Sequence, residues 1–436
     1  MTQQRWYGAK TRTVSESELL DWVTLSDESE FALALMQLRY ETGAHDLYQL
    51  FTCRHGDQLE LDALAADPGL ARELVRSMRD GRVLHGERGV AEFEPAEGYD
   101  GLAREVQLAQ LVESEQSNSS VIFDDTLILK LFRRVEPGTN PELEMLRFLS
   151  ERRFRHIPAL AGWYSYTGGQ LSATLGILQE YVAGAQDGWV LALQELGRDP
   201  ESFFARLYRL GEVTGHMHSI LGSDPNDPNF APEEPSVESL ALLTATVDEE
   251  ISRVFVGLSE DDERVAPIVG RGEEVREQLR LLTSASSTGR VIRVHGDYHL
   301  GQTLWSGSDW VILDFEGEPA RPLVERRRKR LPLRDVAGML RSFAYVASAA
   351  RIVHGYDVPD DWEERARERF LDGYLSAVDS ILLPSGQGAL ERLLAVFELE
   401  KAVYELRYEL DNRPDWVGIP VAGIQRLIEV NAPAPM

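Results

Sequence analysis

The sequence predicts an α+β protein with an N-terminal cap and two further lobes, on three observations. Period-two stretches crowd its first half, long helical stretches fill its second, and one β-rich segment, VIRVHGDYHLGQTLWSGSDWVILDFEGEP, is inserted among those helices. A chain of 436 residues exceeds the size at which a single hydrophobic core keeps growing, so several subdomains are expected. Their boundaries are placed at 1–98 for an α+β cap, 99–184 for an intermediate lobe and 185–436 for a mostly helical lobe.

In the cap, FALALMQLRYE and DLYQLFTCR alternate apolar and polar residues, the pattern of half-buried antiparallel strands, with ETGAH as the turn. A helix is expected over ELDALAADPGLARELVRSM, then a hairpin over GRVLHGERGVAEFEP. From Gly101 the expected order is a helical start (LAREVQLAQLV), a polar loop (ESEQSNSS) and the strands VIFDD and TLILKLFRR. A Pro-initiated helix (NPELEMLRFLSERR) and a strand LGILQEYV ending at Gly184 follow. The helical lobe is read from ESFFARLYRLGEVTGHMHSIL, SVESLALLTATVDEEISRVFVGL, LRDVAGMLRSFAYVASAARIV and residues 389–410. DPNDPNFAPEEPS is a Pro-rich connector.

A formal charge of −27 opposes binding to nucleic acid or anionic membrane, which needs clustered Lys and Arg. No apolar run reaches the roughly 18 residues of a membrane span, and MTQQRWYGAKTR lacks a signal-peptide core, so a cytoplasmic protein is expected, with a monomer favoured. The single cysteine, Cys53, lies in apolar LYQLFTCR and is read as a buried structural thiol. Lysine occurs only at 10, 130, 329 and 401, which makes each interior lysine informative.

HGDYHLGQ and ILDFEG carry the chemistry. Kinases place a base aspartate on a loop, a magnesium ligand five residues later, and a second metal-binding aspartate at a strand end. Asp297, Gln302 and Asp314 stand at those places, which calls for ATP and Mg²⁺ as cofactors. Phosphoryl transfer needs a carboxylate to orient the attacking hydroxyl and hard oxygen ligands to hold Mg²⁺ on the phosphates. His295 and His299 flank the base and are expected to hydrogen-bond nearby backbone. Lys130, in the apolar strand LILKLF, needs a counter-charge; Glu144 is expected to supply it, with Glu142 solvated on another helix face. Gln116, Ser117, Asn118, Ser119 and Ser120 form a polar loop suited to phosphate oxygens, although no G-x-G-x-x-G is present. Gln179, Glu180, Tyr181 and Val182 stand where a hinge would read the adenine edge.

At HGDYHLGQTLW, ILDFEGEPARPLVERR and PLRDVAGMLRSFAYVA the chain resembles the actinobacterial maltokinases and related glucosamine kinases, which are aminoglycoside-phosphotransferase-like. SEQSNSSVIF, QRWYGAK and ELEKAVYELRYELDNRPDWVGIP extend the resemblance over nearly the whole chain. It implies a bilobal protein-kinase-like fold and ATP-dependent phosphorylation of a sugar. The acceptor residues expected are His299, Glu316, Tyr404, Glu405, Glu409, Asp411 and Trp416. The carboxylates beside Arg413-Pro414-Asp415-Trp416 suit a cationic aminosugar, so glucosamine 6-phosphorylation is the first expectation. Maltose 1-phosphorylation is the alternative, followed by antibiotic modification and by a pseudokinase binding module.

Overall fold

The computed structural model describes residues 7–430 apart from 29, 56–57, 113–117, 284–287 and 320. The chain divides into two compact units, Met1–Ala185 with Ala320–Arg326, and Gln186–Pro319 with Arg327–Met436.

The first unit holds two sheets. In one, β1 (Val14–Ser26), β2 (Phe31–Tyr40), β3 (His45–His55) and β4 (Gln58–Glu60) pair antiparallel in sequence order. The second, of seven strands, runs β5 (Val83–His85), β6 (Gly89–Pro95), β11 (Leu160–Gly168), β12 (Leu171–Glu180), β9 (Leu127–Leu131), β8 (Ser119–Phe123) and β7 (Ala109–Val112). The period of two in FALALMQLRYE buries both faces of β2. Phe31, Leu33 and Leu35 join Phe93, Leu129, Tyr164 and Leu175 of the second sheet in one core. On the opposite face Ala34, Leu38 and Tyr40 meet Tyr7, Tyr48 and Leu50. The cap sheet and the intermediate sheet therefore share a hydrophobic core.

Local expectations fail where tertiary pairing or proline intervenes. The hairpin β5–β6, expected in the cap, adds to the seven-stranded sheet through pairing of β6 with β11. LAREVQLAQLV is not a helix: one turn of 3₁₀ helix at Asp100–Ala103 precedes β7, whose ladder to β8 overrides helical propensity. Pro68 splits ELDALAADPGLARELVRSM into Ala63–Ala66, a 3₁₀ turn, and Arg72–Arg79.

The second unit is helical around the hairpin of β14 (Thr303–Trp305) and β15 (Trp310–Ile312), to which β13 (Gln186–Asp187) pairs. The helices Pro200–Leu221 and Trp362–Ala377 cross in backbone contact; a Cβ on Gly373 would lie 1.9 Å from the Tyr208 carbonyl oxygen. Leu333–Ile352 runs through the interior, and Gln387–Asn412 packs along it. Among the described residues no helix is long and apolar enough to cross a membrane.

Candidate active site

Buried Ile292 and Val294 lead into a loop at His295–His299, and a single 3₁₀ turn at Leu300–Gln302 feeds β14. Asp297 projects from this loop with its side chain 25% exposed. Three positions on one face of the Leu333–Ile352 helix hold the loop, at the i, i+3, i+7 spacing that shares a face. Asp335 accepts from the amides of His295 (2.7 Å) and Gly296 (2.9 Å). Gly338 admits the Tyr298 carbonyl, which a Cβ would meet at 2.6 Å. Ser342 Oγ accepts from the Leu300 amide at 3.3 Å.

Asp335 is 2% exposed, and burial alone would raise its pKa. Bonds from His218 and the Gly296 amide, with the nearby His295, hold it instead below the usual carboxylate value. His218, fully buried, bridges Asp335 (3.2 Å) and the Tyr374 hydroxyl (3.1 Å). The His295 ring spans the site: Nε2 donates to the Leu313 carbonyl at 2.7 Å, and Nδ1 accepts from the Asp297 amide at 3.4 Å. One imidazole thus ties the base loop to the strand before Asp314.

The β14–β15 register brings the two expected metal ligands together. Thr303 faces Ile312, and the Leu313 amide donates to the Gln302 carbonyl at 2.9 Å, so Asp314 follows directly beside Gln302. Asp314 has φ 57°, a left-handed conformation aspartate tolerates, and turns the chain out of the strand. Among the described residues no group of three or more His, Cys, Asp or Glu is arranged to hold a metal. The residue types at these neighbouring backbone positions, an amide and a carboxylate, are of the kind that fits Mg²⁺, which takes one or two protein oxygens and completes its shell with water and phosphate.

The acceptor residues are arranged differently from expectation. Glu405 is buried and accepts from Arg341 Nη2 (2.7 Å) and Nε (3.0 Å), and Arg341 is itself 1% exposed. Glu409, also 1% exposed, binds Arg413 (2.6 Å) and the Tyr345 hydroxyl (3.0 Å). Both carboxylates, expected to meet a cationic sugar, are thus engaged by internal cations. The Trp416 ring stacks with Tyr345 at 6.1 Å and lies 4.9 Å from the Arg413 guanidinium. Asp411 is exposed and Glu316 half-buried.

What stands beside the base is a cation. Lys401 Nζ is 3.5 Å from Asp297 Oδ1 and lies over the Tyr404 ring at 5.6 Å. Burial opposes its charge, but Asp297, Glu405 and Glu318 outweigh that and raise its pKa. His299 accepts from the Gly301 amide at Nδ1 (3.1 Å), and burial lowers its pKa.

In the first unit, Lys130 is buried and its ammonium lies 3.0 Å from Glu142 Oε2. This corrects the expected roles: Glu142 is 1% exposed, whereas Glu144 is half-buried. The helix Pro141–Glu151 is capped by Asn140, whose side chain accepts from the Glu142 amide (2.8 Å), and this first-turn residue meets the strand. Ser120 pairs with Lys130 and Ser119 with Leu131 across β8–β9, and Asn118 precedes them. Gln116 and Ser117 lie outside the described residues. Glu180 ends β12, its amide donating to Ala159, and the Val182 carbonyl accepts from the Ala185 amide.

A sequence model described as the phosphotransferase enzyme family matches residues 109–381, more than half of the chain. The chain belongs to this family. It is an ATP-dependent kinase. A second model, the maltokinase N-terminal cap domain, matches residues 1–83. Two curated relatives are glucosamine kinases. That of Streptacidiphilus jiangxiensis is 26% identical over 332 residues, 72% of each chain. That of Mycolicibacterium smegmatis is 27% identical over 327 residues, 72% of this chain and 78% of its own. A solved glucosamine kinase in complex with glucosamine, ADP and inorganic phosphate superposes with TM-score 0.75 at 21% identity, covering 96% of both chains. A second crystal form gives 0.76 at 20%, covering 97% of this chain and 96% of that one.

The sequence reading of this phosphotransferase missed Asp335, His218, Arg341 and Lys401. Signals for them were present. Asp335 and Arg341 are charges inside the mostly apolar LRDVAGMLRSFAYVA, and Lys401 is one of the chain's few lysines.

Proposed function

We propose that this phosphotransferase is an Mg²⁺- and ATP-dependent sugar kinase whose acceptor is neutral, with maltose, phosphorylated at its anomeric hydroxyl, as the leading candidate. Asp297 accepts the hydroxyl proton as the sugar oxygen bonds to the γ-phosphorus and the bond to ADP breaks; Gln302 and Asp314 would hold Mg²⁺, which would offset the phosphate charge. The observation that carries the acceptor is the Lys401 ammonium 3.5 Å from Asp297, with Glu405 and Glu409 already engaged by Arg341 and Arg413. A cation beside the base repels an ammonium sugar and donates hydrogen bonds to a neutral one. The match to the maltokinase N-terminal cap domain supports the same reading. Glucosamine 6-phosphorylation is the second reading, favoured by the two glucosamine kinase relatives. His299, Glu316, Tyr404, Asp411 and Trp416 stay in the proposed acceptor set. The test is kcat/KM for maltose, glucosamine, glucose and N-acetylglucosamine under one Mg-ATP condition. Maltose should lead, and a clear preference for glucosamine would overturn the neutral-sugar reading while leaving the kinase standing.

A further inference from the structure

One helical turn separates Lys401 from Glu405 on the helix Gln387–Asn412, and opposite charges four residues apart on a helix ordinarily meet each other. Here each turns elsewhere. The Lys401 ammonium leaves its own helix and approaches Asp297 of the base loop at 3.5 Å. Glu405 turns to Arg341 of the helix Leu333–Ile352, whose Nε and Nη2 both donate to Oε2, at 3.0 and 2.7 Å.

Arg341 is 1% exposed. Burial works against its charge, and Glu405 outweighs burial and holds its pKa above the ordinary value. Against the guanidinium lies the helix Gly418–Val430, where a Cβ on Gly423 would come within 2.2 Å of Arg341 Nη1. A glycine at that position leaves the guanidinium room to reach Glu405. A buried ion pair is a poor source of stability compared with apolar residues of the same volume, so packing alone gives little reason for this one. Its effect on the neighbouring lysine does. Burial opposes the Lys401 charge, and Asp297 and Glu405 both favour it, so the two carboxylates compete for one ammonium. A carboxylate already gripped by a guanidinium has less attraction left for that ammonium.

We propose that Arg341 is a positioning residue for Lys401: by holding Glu405 it leaves the ammonium to Asp297, and so sets the cation that the acceptor meets beside the base. This rests on the reading of Lys401 as an acceptor residue.

The experiment uses the full-length protein. With four lysines in the chain, isotope labelling of lysine side chains gives four NMR signals, and Lys401→Met identifies that of Lys401. In the wild type, Asp297→Asn should move this signal. In Arg341→Met, where the ammonium turns to Glu405, the same change should leave it in place; equal movement in both backgrounds overturns the proposal. Steady-state kinetics with Mg-ATP and the best acceptor give the second readout. Arg341→Met should lower acceptor kcat/KM about tenfold, with KM for ATP within about twofold. Adding Glu405→Gln removes the competing carboxylate and should restore kcat/KM to within about threefold of wild type. A lower melting temperature with unchanged acceptor kcat/KM, or a double variant no better than Arg341→Met, overturns the proposal. Should Arg341→Met fail to fold, Gly423→Ala tests the same link, since its methyl group displaces the guanidinium while the charge and the helix remain. It should lower acceptor kcat/KM by about threefold, and an unaltered value would count against Arg341. Lys401→Met separates the two levels. If it leaves acceptor kcat/KM unchanged, the acceptor reading of Lys401 fails and the proposal with it; if it lowers kcat/KM while Arg341→Met and Gly423→Ala do not, only the role of Arg341 fails.

Discussion

Replacing Asp335 by Asn tests whether the base loop is held from beneath by a buried charge. The carboxylate accepts from the His295 and Gly296 amides at 2.7 and 2.9 Å and from His218 at 3.2 Å. A hydrogen bond to an ionised group is worth about 1.5–3 kcal/mol. Asn keeps one acceptor oxygen but turns an NH₂ donor toward groups that are themselves donors, so about one such bond is lost and a donor–donor contact is created. A cost of about 3–4 kcal/mol falls on the loop that places Asp297, and at about 1.4 kcal/mol per tenfold this corresponds to roughly a hundred- to a thousandfold in kcat/KM.

The pH dependence has a definite sign. The folded-state pKa of Asp335 is lowered, so its contribution is present above the unfolded carboxylate value of about 4 and is lost as pH falls through the folded pKa. Wild-type stability should therefore decline in acid below about pH 4 more steeply than that of Asp335→Asn. Kinetics at saturating Mg-ATP and melting curves from pH 3 to pH 7, about the range that brackets the carboxylate, provide the readout. A variant with kcat/KM within about threefold of wild type would refute the argument, because the hydrogen bonds would then be dispensable to Asp297.

Asp297→Asn should fold normally and lose about a hundredfold or more in kcat, measured by phosphate transfer at saturating substrates; near wild-type turnover would remove it from the chemistry. Asp314→Asn should weaken Mg-ATP binding by calorimetry more than acceptor binding, and unchanged nucleotide affinity would end its assignment to metal. Glu142→Gln removes the carboxylate that lies 3.0 Å from the buried Lys130 ammonium, and should lower stability by about 3 kcal/mol and raise KM for ATP; an unaltered melting temperature would contradict the pairing. Lys401→Met should cut kcat/KM for maltose while improving glucosamine relative to maltose by about tenfold; equal losses on both sugars would show that its charge does not select the acceptor.

The local structure of the candidate site was legible in the sequence wherever it depended on short-range spacing. HGDYHLGQ and ILDFEG fix the loop and the strand end locally, and one antiparallel register then sets Gln302 beside Asp314. Helices with long apolar stripes, such as Pro200–Leu221 and Leu333–Ile352, were equally readable. Partner choice was not, because it is decided by approach between segments distant in sequence. Whether Lys130 meets Glu142 or Glu144 depends on how a helix end docks on a strand, and both residues lie in the same first turn. The hairpin β5–β6 has the same local pattern in either sheet, and only its pairing with β11 assigns it. Glu405 looked available for substrate because Arg341 lies 64 residues away, whereas the pairing of Glu409 with Arg413 is an i,i+4 contact that its spacing could have shown.

The few lysines show how charge is used near the site. Arginines supply most of the ion pairs on this acidic surface, whereas Lys130, Lys329 and Lys401 are each set against a carboxylate, Glu142, Glu233 and Asp297. An arginine at 401 would grip Asp297 with a planar fork, and a bidentate pair would compete with the proton transfer the base must perform. A lysine presents a compact charge with three rotatable donors, and at 3.5 Å its contact with Asp297 is long enough to be exchanged for a sugar oxygen. The Tyr404 ring lies beneath the ammonium, 5.6 Å from it, and helps to hold it near Asp297. On the proposed reading Lys401 pairs with Asp297 before the acceptor arrives and hydrogen-bonds the acceptor afterwards. On that reading a sugar bearing its own ammonium would set two cations against each other there.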